Sequence, residues 1–343
     1  MVSELLKLIE KMWVEIKPEV FEDGQNLFEL RKLIQDLCYK HKYEVYIDLP
    51  KVNGLSNFDG IYDEIKDIID DYYNRYVIES ALIDFFVCND LNIKNFTVKE
   101  AITFFNLPLI ILLENSDNDG YFIDAIIREF KKSSKKVQRF KENHWLSYGN
   151  AGGSGGVKHF IERIKKEFNG DIRFIKCIVI LDSDLEYPQT PNPKRIEIEN
   201  YLDENNIISH ILEKREIENY LPDDIFELIN PNNEFAKTYL RKLTPIQKDF
   251  IDIENGFGMD AKALEKDKPL VFRLFDNERE NKNENCLKIN NLRNGIIKDF
   301  DNFKNDFPKL FENATQDGLI ERTKDQNNPN ELKEILYKIS KLL

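Results

Sequence analysis

The chain has 343 residues, 41% hydrophobic and 32% charged, with a formal net charge of −13. Its 14 Gly and 12 Pro exclude a collagenous or low-complexity protein, and the length points to two or three domains, each able to bury its own core. The longest apolar stretch, about Leu107 to Leu113, is interrupted by Pro108 and falls far short of the roughly 20 residues of a membrane helix.

The amino-terminal segment sets Glu4, Glu10 and Glu15 among its apolar positions, whereas a secretory leader has a basic end and then an uninterrupted apolar run. Cys38, Cys88, Cys177 and Cys286 are scattered and form no Cys-x-x-Cys pair, so neither a disulfide framework nor a structural zinc site is implied. A cytoplasmic protein without membrane association is expected. Leu5, Leu6, Ile9, Met12, Trp13 and Ile16 recur at helical spacing, and Leu27 to Tyr39 repeats the pattern. Tyr43 to Leu49 reads as a strand stopped by Pro50, and Ile61 to Cys88 returns to helical spacing. Residues 1–106 are therefore expected to form a mainly helical domain, and no pattern in them suggests chemistry.

A different rhythm begins at Leu107. Leu109 to Leu113 is a continuous apolar run, as in a strand buried on both faces of a parallel sheet. It ends in Glu114-Asn115-Ser116-Asp117-Asn118-Asp119-Gly120, and an amphipathic helix follows from Tyr121 to about Lys132. A short strand near Trp145 to Tyr148 leads into a glycine-rich loop, Gly149 to Gly156, and then a helix from Val157 to Phe168. Phe174 to Leu181 is the third strand and runs into Asp182-Ser183-Asp184. A polar, proline-bearing loop, a helix near Lys194 to Asn205 and a fourth strand at Ile207 to Leu212 follow, and Glu213 to Pro222 closes the unit. Strand and helix alternate with short connections, which predicts an α/β domain over 107–230, a parallel sheet with helices on both faces. Asp276 to Asn291 reads as a loop, and Ile296 to Phe311 and Leu332 to Leu343 make 231–343 a helical carboxyl-terminal domain. No internal repeat is visible.

In an open parallel sheet, ligands bind beyond the carboxyl ends of the strands. Acidic residues fall at three such ends: Glu114 after the first, Asp182 and Asp184 after the third, and a glutamate cluster after the fourth. Converging carboxylates repel each other, and a hard divalent cation removes the problem. Mg²⁺ takes oxygen ligands and keeps waters that leave room for a phosphate. Charge is also uneven, with a net of −8 over residues 1–106 and +8 over residues 131–176. Arg139, Lys158, Arg163, Lys165 and Lys166 in the basic stretch are the kind of side chain on which phosphate contacts to nucleic acid rest. Lys131, Lys132, Lys135 and Lys136 equally fit an ordinary solvated helix end. Two readings of the glycine loop stand, a phosphate cradle ahead of a helix or a plain flexible link.

A strand ending in Glu, a glycine-containing link to a helix and a later strand ending in Asp-x-Asp resemble the Toprim domain of topoisomerases, primases and OLD-type nucleases. The resemblance covers about Leu107 to Asn230, roughly a third of the chain. Glu114 matches the family's first-motif glutamate, and Asp182 and Asp184 its Asp-x-Asp pair, although Glu-Asn-Ser-Asp-Asn-Asp-Gly departs from the commoner Glu-Gly form. Arg-Glu-Ile-Glu-Asn-Tyr-Leu resembles the final motif of Toprim proteins of bacterial defence and overcoming-lysogeny systems. The resemblance implies Glu114, Asp182, Asp184 and Glu218 as ligands of one or two Mg²⁺ or Mn²⁺ ions. Asp119 is either a further ligand or a helix cap. Lys214 or Arg215 becomes a phosphate clamp, and Glu216 is a weaker match.

The chain contains no recognisable DNA-cleaving tyrosine domain, no zinc-binding Cys/His domain and no Gly-x-x-x-x-Gly-Lys-Ser/Thr loop. What the resemblance then implies is a metal-dependent nuclease acting on DNA or RNA, with Glu114, Asp182, Asp184, Lys214 and Arg215 at its catalytic centre. It further implies a role in antiviral defence beside an ABC- or AAA-type ATPase encoded nearby, with the helical flanks as contact surface or homo-oligomer interface. A non-catalytic Toprim-like binding module and an RNA-specific Toprim ribonuclease are the alternatives.

Overall fold

The computed structural model describes residues 12–22, 27–52, 61–79, 81–89, 94–229, 232–276 and 289–343, leaving out the side chains of 61–64 and 289–290. Leu5, Leu6 and Ile9 of the expected first helix and most of the expected loop from Asp276 to Asn291 lie outside the described residues, whereas the end of that expected helix, Trp13–Ile16, is a strand. The chain divides into two compact units, the first from Met1–Pro108 with Asp171–Lys176 and Leu343, the second from Leu109–Gly170 with Cys177–Leu342.

In the first unit the elements run β1 (Trp13–Ile16), α1 (Glu19–Glu22), α2 (Leu27–Lys40), β2 (Glu44–Tyr46), α3 (Ile61–Glu79), β3 (Ile83–Val87), β4 (Asn95–Phe96) and α4 (Val98–Asn106). Sequence spacing predicts a mainly helical region here. Instead, the four strands form one parallel sheet in the order β2-β1-β3-β4. β2 falls within the expected strand Tyr43 to Leu49, whereas β1 and β3 are too short to be told from helix: an apolar run of four or five residues has no period of its own, so it reads as the continuation of a neighbouring helix. The apparent helix Ile61 to Cys88 is thus α3 followed by β3. Even the polar residue of β3 serves the sheet, since Asp84 Oδ2 accepts the Trp13 N–H at 2.9 Å.

Two lysines are packed together beneath this sheet's aromatic cluster. Lys42 Nζ donates to the carbonyl oxygens of Phe105 (2.9 Å) and Leu107 (3.1 Å). Lys176 Nζ donates to Tyr43 Oη (2.7 Å) and Leu107 O (3.2 Å). Burial, together with the neighbouring ammonium, drives Lys176 well below the ordinary lysine range, and burial lowers Lys42 to about 8. Because these folded-state values lie below the unfolded ones, stability is reduced at neutral pH and recovers as pH rises from about 8 towards 10.5. Lys176→Met is expected to raise the stability of this unit at pH 7 and to flatten that alkaline rise, as measured by urea denaturation at pH 7 and pH 9.5. An unchanged alkaline slope would refute the account.

The second unit opens with β5 (Leu109–Leu113), α5 (Ser116–Glu129), α6 (Lys131–Glu142), β6 (Leu146–Asn150), α7 (Gly156–Glu167), β7 (Cys177–Leu181), α8 (Pro193–Glu204) and β8 (Ile208–Ile211). The four strands form a parallel sheet in the order β6-β5-β7-β8, so the predicted α/β unit is present. Both central strands are apolar without alternation because helices cover both faces, and all five residues of β7 are buried. Gly149 in β6 permits close helix–sheet packing: a Cβ there would stand 2.8 Å from Ile110 Cγ2 and 3.0 Å from Phe160 Cζ.

Residues beyond 230, expected as a third domain, belong to this same compact unit. They form short helices, α9 (Asp223–Phe226) at the boundary, then α10 (Glu234–Lys242), α11 (Pro245–Phe250), α12 (Ala261–Asp267), α13 (Pro269–Phe275), α14 (Phe303–Asp306), α15 (Gln316–Thr323) and α16 (Glu331–Ser340). The expected helix over Ile296 to Phe311 is broken into α14 and flanking 3₁₀ turns. Specific contacts dock this region onto the sheet domain. Arg128 Nη2 donates to the carbonyls of Phe311 (3.1 Å) and Ala314 (2.9 Å). The buried Glu331 carboxylate accepts the Glu213 N–H at 2.8 Å and the Tyr220 hydroxyl at 2.5 Å.

Candidate functional site

The strand order fixes where a site can form. From β5 the chain passes to β6 on one side, and from β7 to β8 on the other, so the order reverses between β5 and β7. At such a switch point the connections leave in opposite directions and open a crevice at the carboxyl ends of the two strands. Glu114 directly follows β5, and Asp182 directly follows β7.

A cleft of about 610 Å³ occupies this position. Glu114, Asp117, Asp119, Asp182, Glu216, Glu218 and Glu254 line it, with Lys304 as the single cation in the lining among the described residues. Glu114, Asp119, Asp182 and Glu218, four of the five expected metal ligands, are thus brought together. Burial raises each of them, and mutual repulsion adds to it. Asp119 is pushed up to about 6, Glu216 to about 7 and Glu218 to about 8, while Asp182 stands well above the usual carboxylate range. Glu114 is raised as well, by burial against the opposing pull of Arg195.

Local hydrogen bonds hold this arrangement. Asp182 Oδ1 accepts the Ile217 N–H at 2.9 Å, which ties the end of β7 to the 3₁₀ turn carrying Glu218. Asn115 caps α5, and its own N–H donates to Asp119 Oδ2 at 2.8 Å. Asp119 lies inside the helix and Asn115 is its cap, so the expected capping role falls to Asn115; Asp119 braces the helix start with one oxygen while it lines the cleft. The glycine loop curls over Glu114. Gly153, at φ +97°, donates its N–H to Glu114 O at 3.0 Å, and the Ser154 backbone N–H reaches the Glu114 carboxylate. Gly152 N–H donates to Asn150 Oδ1 at 2.8 Å. The Gly153 and Ser154 amides are thus spent on Glu114 and that of Gly152 on Asn150, which favours the reading of the loop as a link that braces Glu114 over that of a phosphate cradle.

Asp184 is arranged differently. Its backbone adopts φ +52°, a left-handed conformation that Asp tolerates better than most residues, and its N–H donates to Arg215 O at 2.9 Å. Among the described residues the cleft lining includes Asp182 and not Asp184. The Asp184 carboxylate instead meets Arg195, whose Nη2 lies 2.5 Å from both Asp184 Oδ2 and Glu114 Oε1. Asn192 sets this geometry: its side chain accepts the Lys194 and Arg195 N–H groups and donates to Ser183 O at 3.0 Å. Sequence reasoning missed Arg195, because nothing in a helix-borne arginine after a proline-rich loop marks it as the counter-ion of two distant carboxylates. It also missed Glu254 and Lys304, which come from the carboxyl-terminal region without any local motif.

The expected phosphate clamp is engaged elsewhere. Lys214 is buried, with Nζ 2.5 Å from Asp249 Oδ1, and Arg322 Nη1 meets the same oxygen at 2.6 Å. Arg215 pairs with Glu216 at 3.2 Å and with Asp252 at 3.1 Å. Of the residues expected to face nucleic acid, Lys158, Arg163, Lys165 and Lys166 lie on α7 directly after the glycine loop, and Arg139 lies on α6. Lys158 is paired with Glu197 at 2.5 Å and Lys165 with Glu162 at 2.7 Å, which leaves Arg163 and Lys166 as the exposed cations of that helix. Arg139 lines a separate cleft of about 880 Å³ with Lys131, Lys135 and Lys141.

Among the described residues the cleft offers carboxylates and the side-chain amides of Asn115, Asn118 and Asn150, without histidine or cysteine, and such oxygen donors suit a hard divalent cation such as Mg²⁺ or Mn²⁺. Among the described residues no group of three such side chains already has the spacing of a metal site. Binding would therefore draw the carboxylates inward. Arg195→Gln removes a buried cation from between two carboxylates, and is expected to destabilise the metal-free protein by about 3 kcal/mol, the scale of a broken buried ion pair. The melting-temperature gain on adding Mg²⁺ should then be larger in the variant than in the wild type.

No family model, curated protein or solved structure matches the chain. Among the described residues no helix is long and apolar enough to cross a membrane.

Proposed function

We propose that this protein is a Toprim-like, metal-dependent nuclease that hydrolyses phosphodiester bonds in DNA or RNA. The observation that carries the reading is the cleft at the strand-order switch point, where, among the described residues, seven carboxylates and one lysine form the charged lining. Glu114, Asp119, Asp182 and Glu218 are the residues that would hold one or two Mg²⁺ or Mn²⁺ ions. A bound ion supplies an activated water at neutral pH and stabilises the leaving oxygen. The chain's own groups do the rest. Glu216, held near 7, is suited to exchanging a proton at its carboxylate, and Arg215 at 3.2 Å keeps that group oriented. Lys304 faces the cleft and is available to a phosphate, and the exposed cations Arg163 and Lys166 extend the positive surface along α7.

The Toprim resemblance extends the proposal to bacterial antiviral defence, with an ABC- or AAA-type ATPase as partner. The Arg195 bridge between Glu114 and Asp184 favours a second reading, a binding module of Toprim type in which arginine has replaced the metal. The two are separated by incubating labelled plasmid DNA and bulk tRNA with the protein in Mg²⁺, Mn²⁺ or EDTA. Metal-dependent cutting that disappears in Glu114→Gln supports the nuclease and identifies its polymer. No cutting, alone or with an adjacent ATPase, leaves the binding module.

A further inference from the structure

A second cavity, of about 510 Å³, adjoins the acidic cleft and has no part in the chemistry proposed above. It lies beyond the ends of β7 and β8, lined by Ser183 and the loop from Leu185 to Asn192 on one side and by Phe250 and Asp325–Asn327 on the other. Arg195 lines it too, and the same guanidinium holds Glu114. The Arg195–Glu114 ion pair therefore links the lining of the cavity to that of the cleft.

Two buried polar atoms on its lining residues have no hydrogen-bond partner among the described residues. One is a donor, Arg195 Nη1, and the other an acceptor, Gln326 Oε1. The Gln326 amide cannot be turned to relieve this. Its Nε2 donates to Asn328 O at 2.9 Å and to Glu331 Oε2 at 2.7 Å, and both partners only accept, so the oxygen must face away from them. An unpaired buried polar atom is costly, and a ligand that supplies both an acceptor and a donor removes the cost at both places. Charge narrows the ligand further. The lining carries Glu199, Glu213, Asp249 and Asp325 against Arg195 and Lys214, and Lys214 is already paired with Asp249. A phosphate inside is disfavoured. The remaining walls are largely apolar, including Leu185, Pro188, Ile196, Ile246 and Phe250, and the volume is that of a small-molecule site.

We propose that this cavity is a nucleobase pocket: it takes a neutral, planar heterocycle whose edge carries one hydrogen-bond donor and one acceptor. The base comes either from an unstacked nucleotide beside the acidic cleft or from a free nucleoside. In the first case the pocket gives the proposed nuclease its base preference, and the inference then rests on that reading.

The test is calorimetric titration of the wild-type protein in EDTA, so that neither metal nor cleavage enters. The four nucleosides, their 5′-monophosphates, a short single-stranded oligonucleotide of each base and inorganic phosphate are compared. At least one base should bind in nucleoside form, its monophosphate should bind no tighter, and phosphate should not compete. Gln326→Leu, which removes the acceptor, should weaken binding about tenfold. Ile246→Trp, at a half-exposed wall position, should block the pocket without disturbing the fold, as checked by circular dichroism. An oligonucleotide binding at least tenfold tighter than its nucleoside assigns the pocket to the polymer, and equal affinities assign it to free nucleosides. No binding of any base, or binding that both variants leave unchanged, overturns the proposal. Base binding by a protein that cuts nothing would sink the nuclease and leave the pocket standing.

Discussion

Asp182→Asn is expected to reduce metal-dependent cleavage by about 100-fold or more while raising the melting temperature of the metal-free protein. The activity loss follows from the position of Asp182 at the end of the central strand β7, lining the cleft in which the ion would be held. A direct ligand should cost at least as much as the outer partners of a metal, whose loss costs up to about 100-fold. The stability gain follows from the same location. Burial, and repulsion from Glu218, Asp119, Glu114 and Glu216, hold the Asp182 carboxyl well above its ordinary range. Asparagine removes the charge and keeps an oxygen for the Ile217 N–H, now accepted by Asp182 Oδ1 at 2.9 Å. Function and stability are thus set against each other at one residue, as is common where a site holds like charges together. Cleavage rates and thermal melts in EDTA on the same preparation would check both halves. A variant that loses activity and also melts lower would contradict the proposed repulsion.

The second large effect is on pH dependence. In EDTA the stability of the protein should fall as pH rises from about 5 to 8.5, and Mg²⁺ should restore it most strongly at the upper end. The sign follows from the direction of the shifts. Asp119, Glu216 and Glu218 stand at about 6, 7 and 8 in the folded protein, against 3.8 for Asp and 4.5 for Glu when unperturbed. Between those limits the folded state holds protons that the unfolded state releases, so stability declines with rising pH. The contribution is complete near pH 4 and is lost in steps as each folded-state value is passed. A divalent cation competes with those protons, so it stabilises little at pH 5.5 and strongly at pH 8. Glu218→Gln should flatten the upper part of the wild-type profile. Thermal melts across this range, with EDTA and with Mg²⁺, provide the check, and a Mg²⁺ effect independent of pH would count against the cleft as the metal's location.

The second unit's sheet was legible because its determinants are local. The apolar runs Leu109 to Leu113 and Cys177 to Leu181 are long enough to require burial on both faces, and the acids that follow them mark the ends of strands. The strand order sets Glu114 beside Asp182, and the hydrogen bonds of Asp182 with Ile217 and of Asp119 with Asn115 bring Glu218 and Asp119 into the same cleft. The sheet of the first unit was hidden for the converse reason. Trp13–Ile16 and Ile83–Val87 are so short that their apolar residues merge into helical patterns beside them, and only pairing with other strands distinguishes the two.

The rest of the site depends on side chains that meet from distant segments. Glu254 and Lys304 reach the cleft because the carboxyl-terminal helices pack onto the sheet domain, Arg195 bridges Glu114 and Asp184 across two connections, and Lys214 is drawn into a buried pair with Asp249. By itself the sequence determined the strands of the second unit and their acidic ends, since each follows from residues adjacent in the chain. Tertiary packing alone decided which charges neutralise one another, because ion pairing depends on distance in space and a chain can bring the same residues together in many ways.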